Sequence, residues 1–393
     1  MPRASVPPHV PVDAARRDLS YGRNDRLPTL LLTGFLGAGK TTLLNAMLAG
    51  KEMSRSLVII NEFGAIGIDH LLVATPAENM RLLESGCLCC EMRGDLVETL
   101  ESAVALWHRS GGRTFDRVLI ETTGLADPVP IIQTLVADES LACNFTLDRV
   151  VTLVDGVNGR TQLQTVAAAV KQVVVADTLV VSKTDVASVD TLGGLNAWLE
   201  ELNPLAARHV VIKGVVPEAL DIELRMSAAR RREVEDWGGE RFKKQTGTYR
   251  TGHRHSANEL TRGHTHADAI VSFAFRFSAP ATQAGLAVWL GSLARLQGDR
   301  LLRMKGIVNV AGRPVVVHTV QSIVHDPQPL LAWPDEHHDS RLVFIGRDLD
   351  PREIERSFEA LQMTESLASS VTVPGTLNVA DYEAFVKAMG AFR

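Results

Sequence analysis

The residues Gly34-Phe35-Leu36-Gly37-Ala38-Gly39-Lys40-Thr41 fit the spacing G-x-x-x-x-G-K-[ST]. Glycines at these places let the backbone curl until successive N–H groups point inward at a phosphate. The apolar run Leu30-Leu31-Leu32 ahead of the first glycine reads as a strand. Behind Thr41, the residues Leu43, Leu44, Met47 and Leu48 recur at helical spacing. The N-terminus of such a helix adds its positive end to the site. Lys40 has the reach to engage β- and γ-phosphates, and the Thr41 hydroxyl is placed for Mg²⁺.

A phosphate loop of this kind calls for a second carboxylate-bearing segment. Val118-Leu119-Ile120-Glu121-Thr122-Thr123-Gly124 supplies one, as an apolar strand that ends in an acid. Glu121 has three roles open to it: holding Mg²⁺ directly, holding it through water, or orienting the attacking water. Gly124 is suited to approach a γ-phosphate through its N–H. Asn61-Glu62-Phe63-Gly64 follows another apolar strand, where a first switch loop would lie, and Glu62 has Mg²⁺, water or a neighbouring metal as candidate contacts. Further on, Ser182-Lys183-Thr184-Asp185 resembles the N-K-x-D guanine loop of GTPases. A carboxylate at Asp185 accepts from guanine N1–H and the 2-amino group. Adenine has no donor there, and an unpaired polar group in the site is costly. Lys183 can lay its alkyl stem on the base. Ser182 stands where the motif usually has Asn.

The chain has four cysteines, and three of them, Cys87, Cys89 and Cys90, fall in the run Gly86-Cys87-Leu88-Cys89-Cys90-Glu91. Clustered thiols in a reducing compartment point to metal or redox chemistry rather than a disulfide framework. The run follows the apolar segment Arg81-Leu82-Leu83 and precedes a helix expected from about Met92. Thiolates near a helix N-terminus have lowered pKa values, which favours metal binding at neutral pH. Soft sulfur selects Zn²⁺ or another transition metal over Mg²⁺, and two or three thiolates leave a tetrahedral shell open for exchange. Cys143 stands alone and is expected in the core. His253, His255, His264 and His266 form two pairs in a polar stretch, which fits either a metal relay or a solvated linker. His318 and His325 flank an expected strand and read as structural.

The 393 residues leave room for two or three domains. A hydrophobic fraction of 45% with 22% charged residues is that of a globular protein, and a net charge of −5 gives no basic field for nucleic acid. No apolar stretch has the length of a membrane span, so a cytoplasmic location is the expectation. Residues 1–26, rich in proline and arginine, read as a disordered leader. Residues 27–225 alternate strand-like with helix-like stretches, the latter including Asp95–His108, Thr161–Val174 and Asp190–Leu202. The expected fold is an α/β P-loop domain with a mostly parallel sheet. Residues 226–268 read as a His-containing linker. Residues 269–393 read as a smaller α+β domain with an antiparallel sheet.

GFLGAGKTT, NEFG with GID, GCLCC, ETTGLADP and SKTD occur in that order, and the set resembles the CobW-type P-loop GTPases, relatives of the nickel-delivery GTPases UreG and HypB. The motifs cover about Thr29 to Asp185, and Arg303-Met304-Lys305-Gly306 resembles part of that family's second domain. The resemblance implies a GTP-hydrolysing metallochaperone with GTP, Mg²⁺ and Zn²⁺ or another transition metal as cofactors. It implies a phosphate-binding role for Gly34, Gly37, Gly39, Lys40, Thr41 and Thr42. It assigns the transition metal to Cys87, Cys89 and Cys90, and guanine to Lys183 and Asp185. The implied partner is a client metalloprotein. Two alternatives stay open: an activator of one metalloenzyme, of the nitrile hydratase or cobalamin-pathway type, and a metal storage or sensing module with little hydrolysis. Many relatives carry Glu directly after NEFG, where this chain has Ala65.

Overall fold

Strands that are apolar on both faces must be covered on both faces, and the first half of the chain does this with helices. The computed structural model describes residues 26–50, 53, 55–63, 80–85, 90–109, 114–220, 270–297, 300–325 and 327–363, with backbone alone at 61–63, 80–85 and 90–93. The elements run β1 (Leu27–Gly34), α1 (Lys40–Leu48), β2 (Ser56–Phe63), β3 (Met80–Ser85), α2 (Cys90–Arg109), β4 (Arg117–Thr122), α3 (Val129–Ala137) and α4 (Glu139–Ala142). They continue with β5 (Phe145–Asp155), α5 (Gly159–Thr165), α6 (Ala167–Val175), β6 (Thr178–Ser182), α7 (Val189–Leu202) and β7 (Ala207–Val211). The seven strands form one sheet in the order β3-β2-β4-β1-β5-β6-β7, every pair parallel.

Alternation along the strands sorts the core into two layers. Leu30, Leu32, Leu119 and Val151 pack on Leu43, Leu44 and Met47 of α1. Leu31, Val118, Ile120 and Val150 face the other way, against Leu96 and Leu100 of α2 and Ile132 and Leu135 of α3. The stretch expected as one helix over Thr161–Val174 is two, α5 and α6, separated at Val166, whose φ of −127° and ψ of 110° are extended. α2 begins at Cys90, two residues before the expected Met92. Cys143 is exposed rather than buried, because it sits in the turn that leaves α4 before β5 starts. Among the described residues no helix is long and apolar enough to cross a membrane.

The second unit is an antiparallel sheet with helices on one side. It contains β8 (Ile270–Phe277), α8 (Gln283–Gln297), β9 (Leu301–Val310), β10 (Arg313–Val320), β11 (Ile323–Val324), β12 (Gln328–Pro329), β13 (Ser340–Arg347) and α9 (Pro351–Ser357), followed by a 3₁₀ turn over Phe358–Gln362. Strand order is β11-β10-β9-β13-β8, with β12 also on β10. Its core joins Trp289, Leu290 and Leu293 of α8 to Phe273, Met304 and Phe344.

The two units share packing and charge. Val320 and Ile323, at the β10–β11 turn, belong to the same core as Ile131 and Leu135 of α3. His318 and His325 stack beside that turn with ring centroids 3.7 Å apart. Val174 of α6 packs with Leu302, Ile307 and Val343 of the antiparallel sheet. Arg303 inserts its guanidinium against the Val175 carbonyl and the Asp177 carboxylate. Asp177 also accepts from Val150 N at 2.9 Å, and Lys305 Nζ lies 3.9 Å from it. This contact sits where β6 begins. The residues expected to do chemistry on β1, β4 and β6 sit where those strands end, at the opposite edge of the sheet.

Candidate functional site

Parallel strands bring their C-terminal ends to one edge, and that edge gathers the motifs. β1 ends at Gly34 and α1 begins at Lys40; the loop between them carries φ of 140° at Gly34, 74° at Gly37 and 95° at Gly39. A Cβ at Gly34 would run into the Leu153 carbonyl of β5, so that turn accepts no side chain. Lys40 is buried and its Nζ donates to the carbonyls of Gly34, at 3.0 Å, and Phe35, at 3.4 Å. The ammonium therefore lies folded over the loop whose N–H groups would cradle a phosphate. Thr42 is exposed beside Thr41, and Gly214 of the turn after β7 approaches its methyl group.

The Thr41 hydroxyl donates to Glu121 Oε1 at 2.9 Å. Glu121 is 4% exposed at the end of β4. A buried carboxylate beside a hydroxyl is a pair of hard oxygens, the donor chemistry that suits Mg²⁺. Gly124 follows in a loop pressed onto the phosphate loop: a Cβ there would stand 2.5 Å from Leu36 N.

The Ser182–Asp185 loop is tied to the glycine loop after β1 by the residue that departs from the usual motif. Ser182 Oγ donates to the Ala38 carbonyl at 2.7 Å, buried, across a sequence separation of 144. A hydroxyl thus links the two loops where an asparagine amide would be expected to. Lys183 adopts a left-handed φ of 57° and its Nζ donates to Asp155 Oδ2 at 2.8 Å. Asp185 is exposed one turn further on. Ser182→Ala is expected to weaken GTP and GDP alike, by about five- to tenfold, the worth of one buried hydrogen bond of roughly 1–1.5 kcal/mol. Nucleotide titration checks this, and unchanged affinities would remove Ser182 from the loop's support.

Asp155 is a residue that motif reading missed, although an apolar strand ending in Asp-Gly was there to be seen. Burial pushes its carboxyl upward. The Lys183 ammonium and the N–H groups of Asn158 and Val157 outweigh that and hold it below the ordinary 3.8. Because folding favours the ionised form, the stability Asp155 adds is complete above pH 3.8 and is lost as pH falls through the lower folded value. Urea midpoints from neutral pH to about pH 3 should fall more steeply for the wild type than for Asp155→Asn. Parallel curves would contradict it.

Glu62 falls on β2, in register with Glu84 of β3, and Cys90 opens α2. Gly64, Ala65, Cys87, Cys89, His253, His255, His264 and His266 lie outside the described residues. Among the described residues no group of three metal-ligating side chains comes together.

A parallel sheet whose first strand leads through a glycine loop into α1, with an acid at the end of β4 and a base loop at the end of β6, defines a P-loop nucleotide hydrolase of the GTPase class. Residues 28–209 match the CobW/HypB/UreG nucleotide-binding domain, and residues 270–362 match the cobalamin synthesis protein CobW C-terminal domain. The chain belongs to the CobW/HypB/UreG family of P-loop GTPases. It is 32% identical over 337 residues to the zinc chaperone YjiA of Escherichia coli (strain K12), covering 84% of this chain and 98% of that protein. It is 35% identical over 189 residues to the zinc-regulated GTPase metalloprotein activator 1 of Schizosaccharomyces pombe, covering 46% of this chain and 45% of that one. The crystal structure of Zn(II)-bound YjiA GTPase from E. coli superposes with a TM-score of 0.58 at 26% identity, over 86% of this chain and 99% of that one.

Proposed function

We propose that this GTPase handles a transition metal, zinc, and passes it to a client metalloprotein, with the state of the nucleotide setting how tightly the ion is held. The ion is the cargo of Cys87, Cys89 and Cys90. Gly34, Gly37, Ala38, Gly39, Lys40, Thr41 and Thr42 hold the phosphates, Gly124 meets the γ-phosphate, and Lys183 and Asp185 hold guanine. The domain limits at residues 26, 225 and 268 belong to the same proposal.

One observation carries the coupling. β3 pairs with β2 in register as far as Phe63 opposite Ser85, and β2 pairs with β4 up to Thr122. The chain therefore leaves β3 toward Gly86–Cys90 at the edge where Glu62 and Glu121 end their strands. An ion held by the segment that continues from β3 would then respond when a nucleotide binds at the edge where Glu62 and Glu121 lie. Thr41 and Glu121 are the residues that would hold Mg²⁺, whose charge stabilises the transferring phosphoryl group. The relatives described as zinc chaperone and zinc-regulated activator support zinc as the cargo. The second of these, described as a metalloprotein activator, supports a metalloprotein as the client.

The test is the zinc dissociation constant measured with a non-hydrolysable GTP analogue and with GDP. A difference of about tenfold, or ~1.4 kcal/mol, is the expected result. Equal constants would leave a metal-binding module whose nucleotide site has no hold on the ion.

A further inference from the structure

We propose that Gln172 is a positioning residue for GTP hydrolysis: from α6 it fixes the backbone of Gly124–Asp127, and with it the N–H through which Gly124 would meet a γ-phosphate. The inference rests on the reading of Gly124 given above and adds the residue that holds it.

Gln172 is 1% exposed, and its Nε2 donates to two carbonyls of that loop, Gly124 at 3.2 Å and Ala126 at 2.9 Å. Two carbonyl acceptors require the nitrogen, not the oxygen, on this side of the amide. The adjacent Lys171 reaches the same loop, with Nζ 2.5 Å from Asp127 Oδ2. Asp127 Oδ1 in turn accepts from Val129 N at 3.0 Å, at the start of α3. Three fastenings thus join one turn of α6 to the segment between Glu121 and α3.

The mount is rigid from behind. The backbone carbonyl of Gln172 accepts from Thr152 Oγ1 of β5 at 2.7 Å. Two residues on, Val174 is buried against the antiparallel sheet, and the Val175 carbonyl takes the Arg303 guanidinium. On the far side of the loop, Gly124 has no space for even a methyl group before it meets Leu36 N. The loop is therefore held between the phosphate loop and α6, with the side chain of Gln172 on the α6 side. Fixing the Gly124 carbonyl limits rotation about the Gly124 Cα, the atom that joins that carbonyl to the residue's own N–H, and the second bond to Ala126 holds the chain that follows. A donor aimed in advance at developing charge acts without reorganising, and a loop that has lost its fastenings must be ordered by the nucleotide itself.

GDP has no γ-phosphate, so the two nucleotides separate this role from general support. In the full-length protein, Gln172→Leu should lower kcat about tenfold and weaken a non-hydrolysable GTP analogue about tenfold, while GDP affinity stays within about twofold. Lys171→Ala should move the same ratio in the same direction by less. Gly124→Ala, measured alongside, should abolish the preference for the analogue over GDP. If Gly124→Ala does so and Gln172→Leu changes neither kcat nor the ratio, the positioning role is overturned while the reading of Gly124 stands. If neither variant changes the ratio, Gly124 is not the γ-phosphate contact and both readings fall. If Gln172→Leu weakens GDP and the analogue equally, Gln172 is merely structural and the proposal is overturned. Should Gln172→Leu fail to fold, Lys171→Ala decides, and an unchanged ratio in that variant overturns the proposal.

Discussion

Glu121→Gln is expected to lower GTP turnover by about 10²–10³-fold while leaving GDP affinity within a few-fold. Glutamine keeps the shape of the side chain and an oxygen for the Thr41 hydroxyl, which donates to Glu121 Oε1 at 2.9 Å. It removes the charge. At a position only 4% exposed, that charge is not replaced by solvent, so a divalent cation would lose its anionic protein ligand and a water its acceptor. The drop should therefore be in kcat, with a raised Mg²⁺ requirement. Glu121→Ala should add a loss of nucleotide affinity, because it also releases Thr41. Single-turnover hydrolysis at a series of Mg²⁺ concentrations checks this, and near-normal turnover by Glu121→Gln would place the essential acid elsewhere.

The second large effect belongs to the contact between the two units. Arg303→Met should destabilise the protein by about 3–5 kcal/mol, because it takes the guanidinium away from the buried Asp177 carboxylate. Arg303 is 1% exposed and Asp177 7%, so the contacts that remain, such as Val150 N–H, must offset the loss without help from bulk water. Lys305, 3.9 Å away, is too distant to take over both hydrogen bonds that the guanidinium makes. Adding Asp177→Asn to Arg303→Met should recover a large part of the loss, since an amide costs far less to bury than a carboxylate that has lost its guanidinium. Denaturant unfolding of the two single variants and the double variant measures the coupling. Losses that simply add would show that the pair is not a unit.

Much of the site was legible because its chemistry is local. A loop that binds phosphate needs glycines, a lysine and a hydroxyl within one short turn, so Gly34 to Thr41 announce it before any folding is known. Continuous runs such as Leu57–Ile60 and Val150–Val154 announce parallel strands, since both faces must be buried. α3 was harder to see. Its sequence Val-Pro-Ile-Ile-Gln-Thr-Leu-Val-Ala follows Pro128 and carries Pro130 and is not among the helices expected above, yet proline in a first helical turn gives up only N–H groups that have no partner there. The break at Val166 was hidden for the opposite reason. The stretch around it keeps helical composition, and the extended backbone at Val166 frees α6 to turn Lys171 and Gln172 toward the Gly124 loop.

By itself, the sequence determined the class of chemistry and the order of the parts. Phosphate loop, thiols, acid and base loop are each coded within a few consecutive residues, whose backbone geometry and ligand type are properties of the segment alone. Tertiary structure decided what supports them. Ser182 takes up the tie to Ala38 across 144 positions, and Gln172 fastens Gly124 across 48. Arg303 reaches Asp177 across 126. The motif marks the position of Ser182 but not its partner, and no local pattern marks a glutamine or an arginine for such duties. A hydrogen bond acquires its worth only when folding has buried both partners and removed the water that would compete for them.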